Sequence, residues 1–491
     1  MKIYTINHKF IYEIENVCRL FFPNEKFVEL DNRLLDENDN DNYVYTEIKK
    51  ENQKFKFEVI AEIDSKIYRD EDLVICELDD KNEMERIISL MVFKILSKIT
   101  NLKPSWGIVT GVRPVKLFRS LIEEGGDEFA LDYFENKLLV SKEKINLTVE
   151  TNYYEKKIID KSKFNSFSLY VSIPFCPTRC AYCSFVSQSI EKCANLIPKY
   201  VELLVEELKY TAKIASDINL NLETVYIGGG TPTTLNEVQL GLLIDTINTY
   251  FDMSTCKEFT IEAGRPDTIT EEKLRVMKLG GVTRISINPQ TFNDDVLKVI
   301  GRKHDSKQTL KAFEIARKCG HNNINMDLIA GLPSDTYESF CMSLTDTINL
   351  SPEGITIHTL SLKRASNINI NNEKIYDPVG ADVKKMLDEV SNCLPKYKYH
   401  PYYLYRQSRM IGNMENVGWS KDGFDGLYNI YIMDETHTIL SCGAGAVTKL
   451  KNMKNGKIER VFNYKFAYEY IANFEQIIKR KGRVIEFYEE L

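Results

Sequence analysis

The chain has 491 residues, 43% hydrophobic and 27% charged, with a formal net charge of −7. That length allows a substantial buried core and predicts two to four domains, while the acidic balance argues against general nucleic-acid binding but leaves room for a local basic pocket. No apolar run approaches the roughly 18 residues a spanning helix needs, and the opening MKIYTINHKF lacks a signal peptide's basic-then-apolar build, so a cytoplasmic protein without a membrane span is expected.

Before about residue 165 the pattern is mixed. MKIYTI, YVYTEI and KFKFEVIAEI alternate as antiparallel strands do, the last two joined as a hairpin through KKENQ. The charge-rich LLDENDNDN (34–42) reads as a solvated loop, and RIISLMVFKILSKI (86–99) has helical spacing. This predicts an N-terminal α+β domain over 1–165.

From 166 the rhythm becomes strand, loop, helix. Strands are expected at SLYVSIP (168–174), ETVYIGGG (223–230), EFTIEAGR (258–265), TRISINPQ (283–290), NINMDLIAGLP (323–333) and GITIHTLSL (354–362). Helices alternate with them, among them KYVELLVEELKYTAKIA (199–215) and KQTLKAFEIARKCG (307–320). Six such units in series imply a parallel sheet, because parallel strands need crossovers. The fold class is therefore α/β, with right-handed crossovers curling the sheet toward an open or closed barrel. Functional residues belong at the strands' C-terminal ends. Beyond 370 a smaller region (371–491) is expected to close the barrel, with GLYNIYIMDETHTILSCGAGAV (426–447) as a hairpin turning at Asp434–Glu435 and FAYEYIANFEQIIKRK as a terminal helix.

The chemistry concentrates in IPFCPTRCAYCSF, where Cys176, Cys180 and Cys183 fall at C-x3-C-x2-C spacing after the first of the six strands. The eleven cysteines are odd in number and otherwise scattered, so a disulfide framework is not expected. Thiolates favour zinc or iron–sulfur clusters. Structural zinc needs a fourth ligand, which Cys193 could supply. A four-iron cubane held by three cysteines leaves one iron open to a small molecule.

This run resembles the cluster loop of the radical S-adenosylmethionine (SAM) superfamily, whose fold is a partial (β/α)6 barrel. The resemblance implies a [4Fe–4S] cluster on Cys176, Cys180 and Cys183, with SAM chelated at the open iron as radical source. YIGGGTPT resembles the segment that binds SAM's amino group, which carries over to Gly229, Gly230 and Thr231. Glu262, in FTIEAGRPD, is implied as a ligand to SAM's amino or ribose groups; its bland reading is an ion pair with Arg284. Gln290, in SINPQTFN, suits ribose hydroxyls, and Arg302, in IGRKH, suits the SAM carboxylate. Asp327, mid-strand in NMDLIAGLP, needs a partner, and the resemblance implies that it lines the SAM site with Glu262, Gln290 and Arg302. Tyr170 and Tyr182 match positions flanking the cluster loop.

YVSIPFC, GGGTP, TIEAGRPD, SINPQTFN, IGRKH and NMDLIAGLP together are similar to the oxygen-independent coproporphyrinogen III oxidase family. SWGIVTGVRPVKLF (105–118) and TIHTLSLKRAS (356–366) resemble its HemZ-type branch. The resemblance implies oxidative decarboxylation of two coproporphyrinogen III propionates to vinyls, in porphyrin and haem biosynthesis under anaerobic conditions, with flavodoxin or ferredoxin as reductant. A substrate with four carboxylates calls for a cationic rim, for which Arg179, Lys363, Arg364, Arg406 and Arg409 are candidates, with solvated surface charge as their plain alternative. One departure stands out: where dehydrogenases of the family carry a further cysteine, this chain has Phe185, as the haem chaperone branch does. The chaperone's haem-associated His-Asn segment is represented only by His437, read as structural. Haem chaperone and haem-degrading methyltransferase remain the alternatives.

Overall fold

The computed structural model describes residues 1–30, 42–51, 54–74, 80–183, 188–361, 380–407 and 409–491. Phe185, Lys363, Arg364 and all of the stretch 34–42 but Asn42 lie outside the described residues. The chain divides into two compact units, Met1–Val149 with Asp377–Lys384 and Arg406–Met414, and Glu150–Tyr376 with Lys385–Tyr405 and Glu415–Leu491.

The first unit is built on a five-stranded sheet of β1 (Lys2–Ile6), β2 (Val28–Leu30), β3 (Tyr43–Glu51), β4 (Lys54–Ile63) and β5 (Lys66–Val74), in the order β2-β1-β3-β4-β5. The predicted hairpin is β3–β4, whose antiparallel ladder runs to Glu51↔Lys54. β1 pairs parallel with both neighbours, which the alternation of MKIYTI did not reveal. Helix Ile11–Phe21 buries Ile14, Val17, Cys18 and Phe21, one stripe at helical spacing. Helix Lys81–Thr100 is the predicted one, its first turn capped by the Asp80 carboxylate, which accepts from the Glu83 N–H at 3.0 Å.

Arg406 belongs to this unit and is not a rim cation. It is 2% exposed, it donates to the carbonyls of Val109 and Asn413, and its guanidinium lies 5.3 Å from the Trp106 ring centroid. A cation enclosed this way ties backbone segments together. Arg409 is exposed.

The second unit holds β6 (Ser166–Ile173), the two-residue strands β7 (Phe175–Cys176) and β8 (Gln188–Ser189), and then β9 (Asn221–Gly229), β10 (Glu258–Glu262), β11 (Arg284–Ser286), β12 (Ile324–Ala330) and β13 (Gly354–Thr359). β6 and β9 to β13 pair in chain order, all parallel. Helices Ile197–Asp217, Glu237–Tyr250, Glu271–Leu279, Ser306–Lys318 and Tyr337–Leu350 form the crossovers. The α/β expectation of six βα-type strands holds.

The later strands act differently from the expected closure. β14 (His400–Tyr405) and β15 (Asn416–Ser420) extend the sheet beyond β13, while β16 (Thr438–Cys442), β17 (Val447–Lys451) and β18 (Ile458–Phe462) extend it beyond β6. The result is an eleven-stranded sheet in which, among the described residues, no ladder joins β14 to β18. Both edges of the six-strand core thus find backbone partners.

The stretch expected as a hairpin at 426–447 is helix Leu427–Asp434 followed by β16. Its tyrosines and isoleucines suit strands, but Tyr428 and Tyr431 also meet a three-residue helical spacing and are buried together. The Glu258 carboxylate accepts from the N–H groups of Leu427 (2.8 Å) and Tyr428 (3.2 Å), satisfying the helix start. Glu435 ends the helix with φ 60°. The terminal helix is likewise two helices, Ala467–Ala472 and Phe474–Glu489, separated at Asn473.

Strand alternation sorts the sheet's faces. Leu169, Val171, Ile173, Val225, Ile227, Phe259, Ile261, Ile285 and Met326 join the helices in one buried apolar core, with Cys193 and Cys319 packed at its rim. The opposite face is polar and aromatic: Tyr170, Tyr226 and Thr260 are neighbours in register, as are Glu262 and Ser286. The apolar face drives packing; the polar face is left for chemistry.

Candidate functional site

β6 ends at Ile173, and the cysteine loop leaves from the C-terminal end of the parallel sheet. β7 carries Cys176 and pairs parallel with β8. The loop is tied down by the Ala181 N–H donating to the Ile300 carbonyl (3.0 Å) and the Cys183 N–H to the Cys180 carbonyl (3.1 Å). Cys180 is buried, Cys176 and Cys183 are half-buried, and none of the three is in a disulfide. Among the described residues no three Cys, His, Asp or Glu side chains converge on one ion position; cysteines around a cubane bind different irons and have no such requirement. Donors reach two of these sulfurs, Arg265 Nη1 to Cys180 Sγ at 3.7 Å and Thr231 Oγ1 to Cys176 Sγ at 3.5 Å. Such donors suit thiolates.

The GGG segment is pressed against this loop. Gly230 N–H donates to the Ile173 carbonyl (2.7 Å) and Thr231 N–H to the Phe175 carbonyl (2.8 Å). A Cβ on Gly230 would stand 2.6 Å from the Phe175 carbonyl oxygen and 2.9 Å from Cys176 Sγ. Gly229 has φ +109°, open to glycine alone. A cavity of about 380 Å³ adjoins the segment, lined by Tyr170, Gly229, Gly230, Ala444, Gly445 and Lys465 among others.

The side of the cavity carrying Ala444 is rigidly held. Tyr200 OH donates to the Ser172 carbonyl and accepts from the Ala444 N–H, both at 2.8 Å, while Ser172 Oγ donates to the Ala444 carbonyl at 2.8 Å. Behind it, the fully buried Glu207 carboxylate accepts from Gly443 N–H (2.7 Å), Tyr470 OH (2.6 Å) and Asn463 Nδ2 (2.7 Å), with Lys481 Nζ at 3.1 Å. Such a pair tolerates burial because its hydrogen-bonding capacity is used.

Glu262, at the end of β10, accepts from Tyr226 OH at 2.5 Å. Burial raises its carboxyl to about 7, the Tyr226 hydrogen bond opposes the rise, and the charge of Asp327 adds to it. The ion pair with Arg284 does not form. Arg284 lies two residues back in register, beside Thr260, and instead donates to the Phe424 carbonyl (2.9 Å), Asn325 Oδ1 (3.2 Å) and Tyr402 OH (3.2 Å). Asp327 has the partners it needs, Asn325 Nδ2 at 2.7 Å and His358 Nε2 at 3.5 Å. Gln290 has φ +69°, is locked onto β12 by backbone bonds to Asp327 and Ile329, both 2.9 Å, and has a buried side-chain oxygen with no hydrogen-bond partner. A polar atom so placed fits a ligand hydroxyl or amide. Arg302 Nη2 donates to Tyr182 OH at 2.9 Å, and its buried Nε has no partner. Tyr170 stacks with Tyr226 (6.2 Å) and Tyr428 (6.1 Å).

The structure thus brings Cys176 to Gly230 and Thr231, Tyr182 to Arg302, and Glu262 toward Asp327. Arg179 is exposed on the cysteine loop. His437 is structural: both ring nitrogens are taken, by Ser162 Oγ and Ser168 Oγ, each at 2.8 Å, and burial lowers its pKa to about 4. Sequence reasoning missed Arg265, Tyr226 and the Ala444–Gly445 wall. Only Arg265 had a signal, a strand-end arginine two residues before an acid in GRPD; Tyr226 and Ala444 reach the site through strand pairing.

The Radical SAM superfamily pattern matches residues 170–346. The oxygen-independent coproporphyrinogen-III oxidase-like protein HemZ of Bacillus subtilis (strain 168) is 37% identical over 415 residues, covering 82% of this chain and 81% of that one. The heme chaperone HemW of Bacillus subtilis (strain 168) is 33% identical over 265 residues, covering 53% of this chain and 68% of that one. Among solved structures, coproporphyrinogen III oxidase (HemN) from Escherichia coli, described as a radical SAM enzyme, aligns at a TM-score of 0.51 and 21% identity over 67% of this chain and 73% of that one, a likeness of fold.

Proposed function

The chain belongs to the family of oxygen-independent coproporphyrinogen-III oxidase-like radical SAM proteins, and on that premise we propose that it oxidatively decarboxylates two propionate side chains of coproporphyrinogen III to vinyls. The family uses a [4Fe–4S] cluster and SAM. When bound, they would supply the radical chemistry that removes one hydrogen from the propionate carbon next to the ring, each propionate then leaving as carbon dioxide with one electron released. An external acceptor takes that electron, and a flavodoxin- or ferredoxin-like donor supplies the reducing one. The observation that carries this reading is the relationship to the oxidase-like relative over 82% of the chain.

The chain's own residues then divide the work. Cys176, Cys180 and Cys183 would hold the cluster and leave a position for SAM. Gly229, Gly230 and Thr231 present backbone to the SAM amino group. Gln290 and Asp327 meet the ribose side, Arg302 the carboxylate, and Tyr170 and Tyr182 wall the site. Glu262 holds a cationic group of SAM, which makes binding pH-dependent. Its carboxyl is neutral below about 7 and ionised above, so affinity for SAM is expected to rise by up to about tenfold per pH unit below 7 and then level off. Equilibrium binding to the loaded protein between pH 5.5 and 8.5 checks this, and Glu262→Gln should flatten the profile. Without SAM the sign for the fold is opposite: the raised pKa contributes stability that is full below 4.5 and lost as pH rises through about 7.

Haem carriage is the second reading, favoured by the relatives named heme chaperones. Against it, His437, which alone represents the chaperone branch's haem-associated segment here, has both nitrogens occupied. The deciding experiment is anaerobic purification, reconstitution with iron and sulfide, and incubation with reductant, SAM, coproporphyrinogen III and an acceptor, with products followed by mass. Successive loss of two carboxyl groups is expected. SAM cleavage with intact tetrapyrrole across several acceptors, together with retained haem, would overturn the decarboxylase in favour of the carrier.

A further inference from the structure

Arg265 is placed where neither strand pairing nor core packing requires a cation. It is 3% exposed and follows Gly264 at the C-terminal side of β10. One edge of its guanidinium forks onto Asp267, Nε to Oδ1 and Nη2 to Oδ2, both at 2.9 Å. Nη1 points the other way, to Thr178 Oγ1 at 3.2 Å and Cys180 Sγ at 3.7 Å. The backbone is held as well: the Arg265 carbonyl accepts from Thr268 N–H (2.9 Å) and Thr268 Oγ1 (2.8 Å), and Pro266 begins a short 3-10 turn over Pro266–Thr268.

We propose that Arg265 is a positioning residue that donates a charge-assisted hydrogen bond to the Cys180 thiolate and thereby sets the reduction potential of the cluster. The inference rests on the assignment of Cys180 as a cluster ligand. Uptake of one electron from a low-potential donor makes the cluster and its thiolates more negative by one charge. A fixed cation donating to one of those sulfurs favours the reduced form, and hydrogen bonds to cysteinyl sulfur are a recognised lever on such potentials. Asp267 compensates the buried arginine from the far side, so the positive edge is the one turned to sulfur. Lysine could not do both, because it lacks the planar two-edged fork. The other sulfur donor, Thr231 on Cys176, is neutral.

The test is an EPR-monitored dithionite titration of the full chain, reconstituted anaerobically, as wild type, Arg265→Gln and Arg265→Lys, with iron and sulfide measured for each. Arg265→Gln is expected to hold wild-type iron but to show, at the wild-type midpoint, a reduced-to-oxidised ratio about tenfold lower, a shift of about 59 mV for one electron. Arg265→Lys, which keeps the charge without the fork, should fall between. A loaded Arg265→Gln protein with the wild-type midpoint overturns the proposal, as a purely structural staple would leave the potential unmoved. Should Arg265→Gln fail to take up iron, Arg265→Lys decides: a lowered midpoint supports the proposal and an unchanged one overturns it. A Cys180→Ala protein that still holds a wild-type cluster would overturn the ligand assignment itself, a failure distinguishable from an unshifted potential.

Discussion

Cys180→Ala is expected to abolish SAM cleavage while leaving the chain folded. Cys180 is the most enclosed of the three loop cysteines, 8% exposed, and lies within reach of the buried Arg265. On the proposed ligand set, removing its thiolate would take away one of three protein ligands, so iron after reconstitution should fall well below the about four per chain of a cubane. The fold should survive, because the loop is also held by the backbone bonds of Ala181 and Cys183 and the sheet's apolar core lies on the opposite face. Iron content, the visible spectrum and 5′-deoxyadenosine release measure the loss, and thermal unfolding measures the fold. Cys193→Ala is the control. Cys193 ends helix Ile190–Cys193 and packs against the core, so that variant should keep its iron and turn SAM over. Loss of the cluster in Cys193→Ala with retention in Cys180→Ala would reverse the ligand assignment and revive a site completed by Cys193.

The second large effect is expected from a single methyl group. Gly230→Ala puts a Cβ 2.6 Å from the Phe175 carbonyl oxygen, 2.9 Å from Cys176 Sγ and 3.0 Å from the Ile173 carbonyl oxygen. Two of the three neighbours are backbone atoms, and both already accept hydrogen bonds from this segment, so neither can yield without undoing that pairing. Cys176 must shift or the GGG segment must lift. On the proposed assignment, either outcome would displace a cluster ligand or the backbone meant to face SAM, and SAM cleavage should fall by about 100-fold, equivalent to about 2.7 kcal/mol of barrier. Gly241→Ala separates this from a general effect of added bulk. Gly241 lies in helix Glu237–Tyr250, where a Cβ meets only Val276 Cγ1 at 3.5 Å. There alanine should stabilise the helix by up to about 1 kcal/mol without touching turnover. Equal activity of Gly230→Ala and wild type would remove the GGG segment from the SAM site.

Several long-range features lay outside any pattern in the chain. The six parallel strands announce themselves through short apolar runs ending in glycine or polar residues, because a parallel sheet covered by helices demands that pattern. Local spacing misleads where one composition suits two structures. Tyr428 and Tyr431 fit a strand as well as a helix until Glu258, some 170 residues earlier in sequence, supplies the carboxylate that receives the helix's first N–H groups. The strands after residue 400 look like one C-terminal cap, yet β14–β15 and β16–β18 go to opposite ends of the sheet, a choice made by unpaired edges.

What the sequence by itself determined is the chemistry of the loop: three thiols at short spacing, placed after an apolar strand, with glycines at the end of the next one. Those are local requirements, because ligand spacing and close backbone approach are met within a few residues. Only the tertiary structure decided which partners those groups have. It gave Glu262 to Tyr226 rather than Arg284, enclosed Arg406 among carbonyls, occupied both nitrogens of His437, and turned Arg265 toward Cys180. A charged or polar side chain in a low-dielectric interior takes whichever partner the strand register brings within hydrogen-bond reach. Register is set by the packing of the whole apolar face, which no single stretch of the chain contains.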